Sequence, residues 1–134
     1  MPSFGQNLTT DKAKAIAQVN ATIGAARSLY VTDIPFQDTI YAEKRAEAVA
    51  YLMLPIEPPT LDDYPWISDA VGIDAPTAAQ VAQLWLNLQD LWTLMARQLE
   101  TARRQAIVSI EAASSRAEIA AAEAQFAATL AALS

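Results

Sequence analysis

The residues from Ala78 to Ala113 read AAQVAQLWLNLQDLWTLMARQLETARRQAIVSIEAA. No Gly or Pro interrupts this stretch, and apolar residues recur along it at alternating spacings of three and four. That spacing puts them on one face of an α-helix, in the heptad pattern of helices that pack side by side. The members of this heptad stripe are Trp85, Leu88, Trp92, Met95, Leu99, Ala102 and Ala106. The stretch therefore predicts a single helix of about 36 residues, roughly 54 Å long.

Capping signals mark both ends of this helix. Thr77 and Gln80 form a capping box at its start, and Ser115 and Glu118 form a second one just beyond its end. The second box predicts a tight turn followed by a last helix, which can fold back antiparallel and cover about half of the long helix. The last helix has its own three-four stripe, formed by Ile119, Ala122, Phe126, Leu130 and Leu133.

Three shorter helices are predicted before the long one. The first starts with Thr10 as N-cap and runs from Asp11 to about Tyr30, and the second covers roughly Asp38 to Leu54. A short third helix, Trp66 to Val71, lies between Pro65, suited to a first helical position, and Gly72, suited to the position after the last turn.

Composition agrees with an all-helical fold. The 134 residues include 29 alanines and only three glycines, and Ala is the strongest helix former. We therefore predict an all-α, elongated helical bundle with a long helix at about 78–113 and an antiparallel C-terminal helix. Residues 1–10 are predicted to be an extended N-terminal arm, and residues 11–134 a single helical-bundle domain.

The residue types available exclude most site chemistry. Cys and His are both absent, so there is no thiol nucleophile, imidazole base or usual zinc ligand. We therefore expect the protein not to be an enzyme, to have no catalytic residue and to bind neither a cofactor nor a metal. Glu43 and Glu47 share a helix face but are interpreted as solvated surface, and Asp62-Asp63 as a turn-and-cap pair. Arg103 and Arg104 are interpreted as partners of Glu100 and Glu111 within the helix.

Charge restricts the class of partner. The net charge is −6, and no Lys or Arg lies between Arg45 and Arg97, where seven acidic residues occur. Such a segment repels phosphate backbones and anionic lipids, so neither nucleic acid nor a membrane surface is an expected partner. Two interpretations of this acidic segment remain open: it is a solvated face, or it is a docking surface for a basic partner. Met1 to Thr10 lacks signal-peptide features, and the longest apolar run, residues 48–56, contains Pro55 and is too short to span a membrane. A soluble protein is expected.

Aromatic residues are the candidate contact points. Trp85 and Trp92 lie on the part of the long helix that the last helix cannot cover, so they need cover from the other helices or from another chain. Tyr64 and Trp66 flank Pro65 at a loop–helix junction, where local packing and a partner anchor are both possible. Phe4 is an apolar anchor of the polar arm. The predicted interface residues are therefore Phe4, Tyr64, Trp66, Trp85 and Trp92.

The chain resembles a loose family of Ala-rich helical proteins of tailed phages and prophages, usually encoded among tail and tail-fibre genes. The resemblance begins at Tyr30 and rests on Tyr41, Lys44, Glu47-Ala48, Tyr51, Leu61, Tyr64-Pro65, Gly72, Val81, Trp92, Arg103, Ile110 and the cap from Ser115 to Glu118.

The resemblance implies a structural protein of the virion, a small tail or tail-fibre-attachment subunit or adaptor. Its partners would be copies of itself, as a homo-oligomer, or other virion proteins, and it would be located in the tail region after assembly in the host cytoplasm. An assembly factor that is not retained in the particle and a capsid decoration or connector subunit are the alternatives.

Overall fold

The computed structural model describes residues 4–29 and 37–133. Helices make up 81% of these residues, and no strand occurs among them beyond an isolated bridge between Val71 and Ala75. The helices are α1 (Phe4–Ser28), α2 (Gln37–Leu52), α3 (Pro65–Ala70), α4 (Ala78–Ala112) and α5 (Arg116–Leu133). The prediction of an all-α fold with one long helix followed by a C-terminal helix is confirmed.

The helices form two compact units, which we describe separately. Unit 1 comprises Met1–Val31 and Leu94–Ser134, and unit 2 comprises Thr32–Thr93. The continuous helix α4 supplies its first 16 residues to unit 2 and the rest to unit 1. This division differs from the single domain predicted for residues 11–134.

Unit 1 is built from α1, the later part of α4, and α5. Its core is made mostly of small and medium apolar side chains from all three helices. Helix α1 contributes Ala15, Val19 and Ile23, and α5 contributes Ile119, Ala122 and Phe126. Helix α4 contributes Leu99, Ala102, Ala106 and Ile110, and Ala113 follows directly after its end. The many alanines let the helix axes approach closely. The predicted packing of the C-terminal helix against the later part of the long helix is confirmed, and α1 completes the core.

Polar contacts set the direction of α1 in unit 1. The Lys12 ammonium donates a hydrogen bond to the backbone carbonyl of Glu111 at 2.8 Å, and Arg27 pairs with Glu100 at 2.9 Å. Early residues of α1 thus meet late residues of α4, so the two helices are antiparallel. Arg103 also pairs with Glu100, at 2.7 Å, as the sequence predicts. The hydrogen bond from Arg103, helped by Arg27, lowers the pKa of Glu100 to about 2.

The first residue of each predicted capping box accepts the expected hydrogen bond. The backbone N–H of Gln80 donates to Thr77 Oγ1 at 3.2 Å, and that of Glu118 donates to Ser115 Oγ at 3.1 Å. The Glu118 carboxylate accepts from both the backbone and the hydroxyl of Ser114. These bonds from Ser114 lower the pKa of Glu118.

The N-terminal arm prediction is wrong from residue 4 onward. Helix α1 begins at Phe4, so Thr10 lies inside it and is not its N-cap. Leu8 precedes Ala15 by seven residues, on the same helical face, and packs against the core of unit 1. Burial of Leu8 stabilises the additional turns. Residues 1–3 of the predicted arm lie outside the described residues.

Unit 2 has a smaller core. It is formed by Ala48 and Tyr51 of α2, Ile67 and Ala70 of α3, and Ala78, Val81 and Ala82 of α4. Pro65 is the first residue of α3, and Gly72 follows its C-cap with φ +85°, a left-handed conformation that L side chains rarely adopt. The two boundary signals predicted for α3 are therefore confirmed, and Gly72 allows the chain to turn towards α4.

Candidate interaction surface

Two glutamates of α2 hold the start of α3. Glu47 Oε1 accepts a hydrogen bond from the backbone N–H of Ile67 at 2.7 Å, and Glu43 Oε2 accepts one from the indole N–H of Trp66 at 3.2 Å. The residues are four apart, so both carboxylates lie on the same side of α2. A carboxylate at a helix N-terminus also complements the positive end of the helix dipole.

The structure therefore corrects two interpretations of acidic residues. Glu43 and Glu47 are not merely solvated, because each accepts a hydrogen bond from α3. The N-cap of α3, Tyr64, makes no side-chain capping bond, and the helix start is capped by Glu47 rather than by Asp62 or Asp63. The spacing of the glutamates was visible in the sequence, but the position of α3 opposite them was not.

Lys44 lies between two tryptophans. Its ammonium nitrogen is 5.1 Å from the centre of a Trp85 ring and 5.9 Å from that of a Trp66 ring. Both distances are within the range of cation–π attraction. The Trp85 indole N–H donates to Asp74 Oδ2 at 2.8 Å. Each indole is therefore held by a carboxylate at its N–H and by Lys44 at its face, and both remain half-buried.

Tyr64 has a packing role. Its ring meets Tyr51 edge-to-face, with ring centres 5.3 Å apart and planes at 89°. Tyr64 is half-buried against the core of unit 2, and Tyr51 is buried. Burial, together with the nearby Glu57, raises the pKa of Tyr51. Of the two possibilities left open for Tyr64, the contacts favour local packing.

Part of the heptad stripe is exposed. Leu88, Leu91 and Trp92 retain 55%, 62% and 43% of their surface accessible, and we call these three residues the α4 band. Leu88 and Trp92 belong to the predicted stripe and share a face of α4 with Val81, which is fully buried in unit 2, whereas Leu91 lies beside that face. The predicted stripe is thus partly covered at Trp85 but is uncovered at Leu88 and Trp92.

The five predicted interface residues therefore have different surroundings. The structure brings Trp66 and Trp85 together around Lys44, buries much of Tyr64, and leaves Trp92 exposed in the α4 band. Phe4 begins α1, and its side chain lies outside the described part of the chain.

No set of three or more Asp, Glu, His or Cys residues in residues 4–29 and 37–133 could hold a metal ion. An open groove on unit 1 is lined by both charge signs, and two of its residues, Asp11 and Arg116, already pair with each other. Of the helices the structure describes, none is long and apolar enough to cross a membrane.

No family model, curated protein or solved structure matches this chain.

Proposed function

We propose that the chain is a non-enzymatic structural protein of a phage particle, a small tail or tail-fibre-attachment subunit or adaptor. It acts by burying helix faces and tryptophans against copies of itself or other virion proteins. The resemblance to Ala-rich helical phage proteins supports a place in a phage particle. The exposure of the α4 band supports the proposal that this part of the chain forms an interface. In this proposal the protein is located in the tail region of the virion, after assembly in the host cytoplasm.

The α4 band carries the proposal because its exposure is unfavourable in water. A fully buried Trp removes about 150–250 Å² from water, so covering the exposed 43% of Trp92 would remove roughly 65–110 Å². At about 25 cal/mol per Å², that burial contributes roughly 1.5–3 kcal/mol, before the cost of ordering a partner. Leu88 and Leu91 add to it, and a fixed helix loses little backbone entropy on binding.

Unit 2 supports such an interface through its packed side chains. Trp85, one turn before Leu88 and two before Trp92, is fixed by Asp74 and Lys44, and Val81 anchors the same face in the core. A contact on the α4 band therefore continues a packed helix face instead of forming on a loose loop. This arrangement suits a subunit that holds another protein in place.

Quantification of the chain in purified particles tests the proposal. We expect a constant number of copies per particle for the natural chain. The Leu88→Ser variant should lose incorporation while keeping its helix content, because Leu88 is exposed. Val108→Ser is the matched control, since Val108 is an exposed residue of the same helix outside the α4 band and should be incorporated normally.

The location of the natural chain decides between a subunit and an assembly factor. A chain that binds a tail or fibre protein in the lysate but is missing from finished particles is an assembly factor. Incorporation of Leu88→Ser at the natural level would overturn the proposed interface.

A further inference from the structure

Two arginines from different helices hold one carboxylate of unit 1. Arg103 binds Glu100 through two of its nitrogens, with Nε 3.0 Å from Oε2 and Nη2 2.7 Å from Oε1. Arg27 of α1 donates to Oε2 of the same carboxylate at 2.9 Å. Arg103 Nη1 also donates to Oδ1 of Asn20, on α1, at 3.2 Å. These bonds fix the guanidinium groups of Arg27 and Arg103 where α1 meets α4.

Two further arginines lie beside this carboxylate on α4. Arg97 precedes Glu100 by three residues and Arg104 follows it by four, so both lie on its side of the helix and about one turn away. Both are exposed, and among residues 4–29 and 37–133 neither forms an ion pair. The predicted pairing of Arg104 with Glu111 is therefore not formed. We use the name arginine patch for Arg27, Arg97, Arg103 and Arg104.

The arginine patch has an excess of positive charge. Glu100 is the only acidic residue at positions 94–110 of α4. Helix α1 has one acidic residue, Asp11, which lies about 24 Å along the helix from Arg27. The hydrogen bond from Arg103, helped by Arg27, lowers the pKa of Glu100 to about 2, so Glu100 is ionised at neutral pH. Four guanidinium groups and one carboxylate give the patch a net charge of +3.

The chemistry of the patch suits carboxylates. A guanidinium group can bind a carboxylate through two parallel hydrogen bonds, and Arg103 already binds Glu100 in this way. Arg97 and Arg104 can bind further carboxylates, which would relieve the repulsion among four like charges. These two arginines are seven residues apart, about 10 Å along α4. Carboxylates on neighbouring residues of a peptide therefore match them better than one small anion does.

Nucleic acid matches the patch less well than a short acidic segment. An acidic segment of a few residues can lie within the patch, and charges beyond about 8 Å from it are largely screened at physiological salt. A DNA duplex carries one negative charge per about 1.7 Å and extends past the patch onto the rest of the chain. The chain has a net charge of −6, which repels such a polyanion.

We propose that the arginine patch docks an acidic segment of another protein. Arg97 and Arg104 bind carboxylates of that segment, while Glu100 holds Arg27 and Arg103 in place beside them. The patch belongs to unit 1, whereas the α4 band belongs to unit 2, so this inference goes beyond the proposed function and does not depend on it.

Three fluorescein-labelled probes test the proposal: a short peptide rich in glutamate, the same peptide with glutamine in place of glutamate, and a single-stranded oligonucleotide of equal charge. Binding to the full chain is measured by fluorescence anisotropy. We expect the glutamate peptide to bind at least about tenfold more tightly than either other probe at low salt. The net charge of −6 on the chain would by itself favour the glutamine peptide. The preference should shrink towards about 1 M salt, where the screening length falls to about 3 Å.

Variants with one charge removed locate the binding. Arg97→Gln and Arg104→Gln should each weaken binding of the glutamate peptide at least about fivefold. Lys14→Gln is the matched control, because Lys14 is an exposed cation of α1 that lines the groove beside α5, and it should bind like the natural chain. Circular dichroism should show the same helix content for all three variants, since the three side chains are exposed.

The proposal is overturned by equal affinity for the two peptides, by tighter binding of the oligonucleotide, or by equal losses in Arg104→Gln and Lys14→Gln. A dimer of the natural chain that Arg104→Gln converts to a monomer in sedimentation velocity also overturns it, because a second copy would then occupy the patch. Leu88→Ser should bind the glutamate peptide like the natural chain. Failure at the patch is therefore distinguishable from failure of the interface proposed at the α4 band.

Discussion

Replacement of Glu47 by Ala should destabilise unit 2 measurably. The Glu47 carboxylate lies 2.7 Å from the backbone N–H of Ile67 and supplies the capping contact that Tyr64, the N-cap residue of α3, does not make. Loss of a helix cap costs about 1 kcal/mol, within a range of about 0.5–2 kcal/mol. Because Glu47 is charged and half-buried, we expect the upper part of that range, about 1–2 kcal/mol.

Tryptophan emission is the appropriate assay, because all three tryptophans of the chain, Trp66, Trp85 and Trp92, belong to unit 2. Urea unfolding followed by emission therefore reports the free energy of unfolding of this unit. Glu47→Gln should cost less than Glu47→Ala, since an amide oxygen can still accept the hydrogen bond from Ile67 but has no charge to interact with the helix end.

Asp62→Ala is the matched control, because Asp62 is exposed and was predicted from the sequence to be a capping residue. It should change the free energy of unfolding by less than about 0.5 kcal/mol. Glu47 does not cap α3 if Asp62→Ala destabilises unit 2 as much as Glu47→Ala, or if Glu47→Ala leaves the urea midpoint and slope unchanged.

Three further predictions concern other contacts. Ile110→Ala should cost about 2–5 kcal/mol in unfolding followed by circular dichroism, because Ile110 is fully buried, whereas exposed Val108→Ala should cost under about 0.5 kcal/mol. The pKa of Glu100 is lowered from 4.5 to about 2, so its stabilisation is present above pH 4.5 and is lost as the pH falls towards 2. Acid titrations should therefore show a smaller loss of stability over that interval for Glu100→Gln, while Glu123→Gln, at an exposed residue of the same unit, should follow the natural chain. Lys44→Met, which keeps the length of the side chain but removes its charge, should lower the urea midpoint by the equivalent of about 0.5–1 kcal/mol and change the tryptophan emission. An unchanged midpoint would show that the two ring contacts do not stabilise the unit.

The helices and most of their ends could be predicted from the sequence. Thr77 and Ser115 accept the predicted capping bonds, and α4 begins at Ala78 as expected. Gly72 also has the predicted left-handed conformation at the end of α3. These signals work because a cap or a turn acts on backbone groups within a few residues, so the cause and the effect lie in the same short window of sequence.

The start of α1 could not be predicted in the same way. Residues 4–10 carry little apolar content, and Thr10 followed by Asp11 looks like a helix start. Leu8 nevertheless lies in the helix because it packs against the core of unit 1, to which the distant helices α4 and α5 contribute most of the side chains. Propensity over a short window is a weak prior, and packing against distant helices outweighs it.

The periodicity of the stripe on α4 can be read from the sequence, but which of its residues are covered depends on tertiary packing. Val81 and Leu99 are buried, whereas Leu88 and Trp92 on the same face are exposed, because periodicity specifies a face but not its neighbour. The same holds for Glu47, which caps a helix 20 residues away. Contacts across such separations leave no local pattern in the chain, since they depend on where two helices meet after folding.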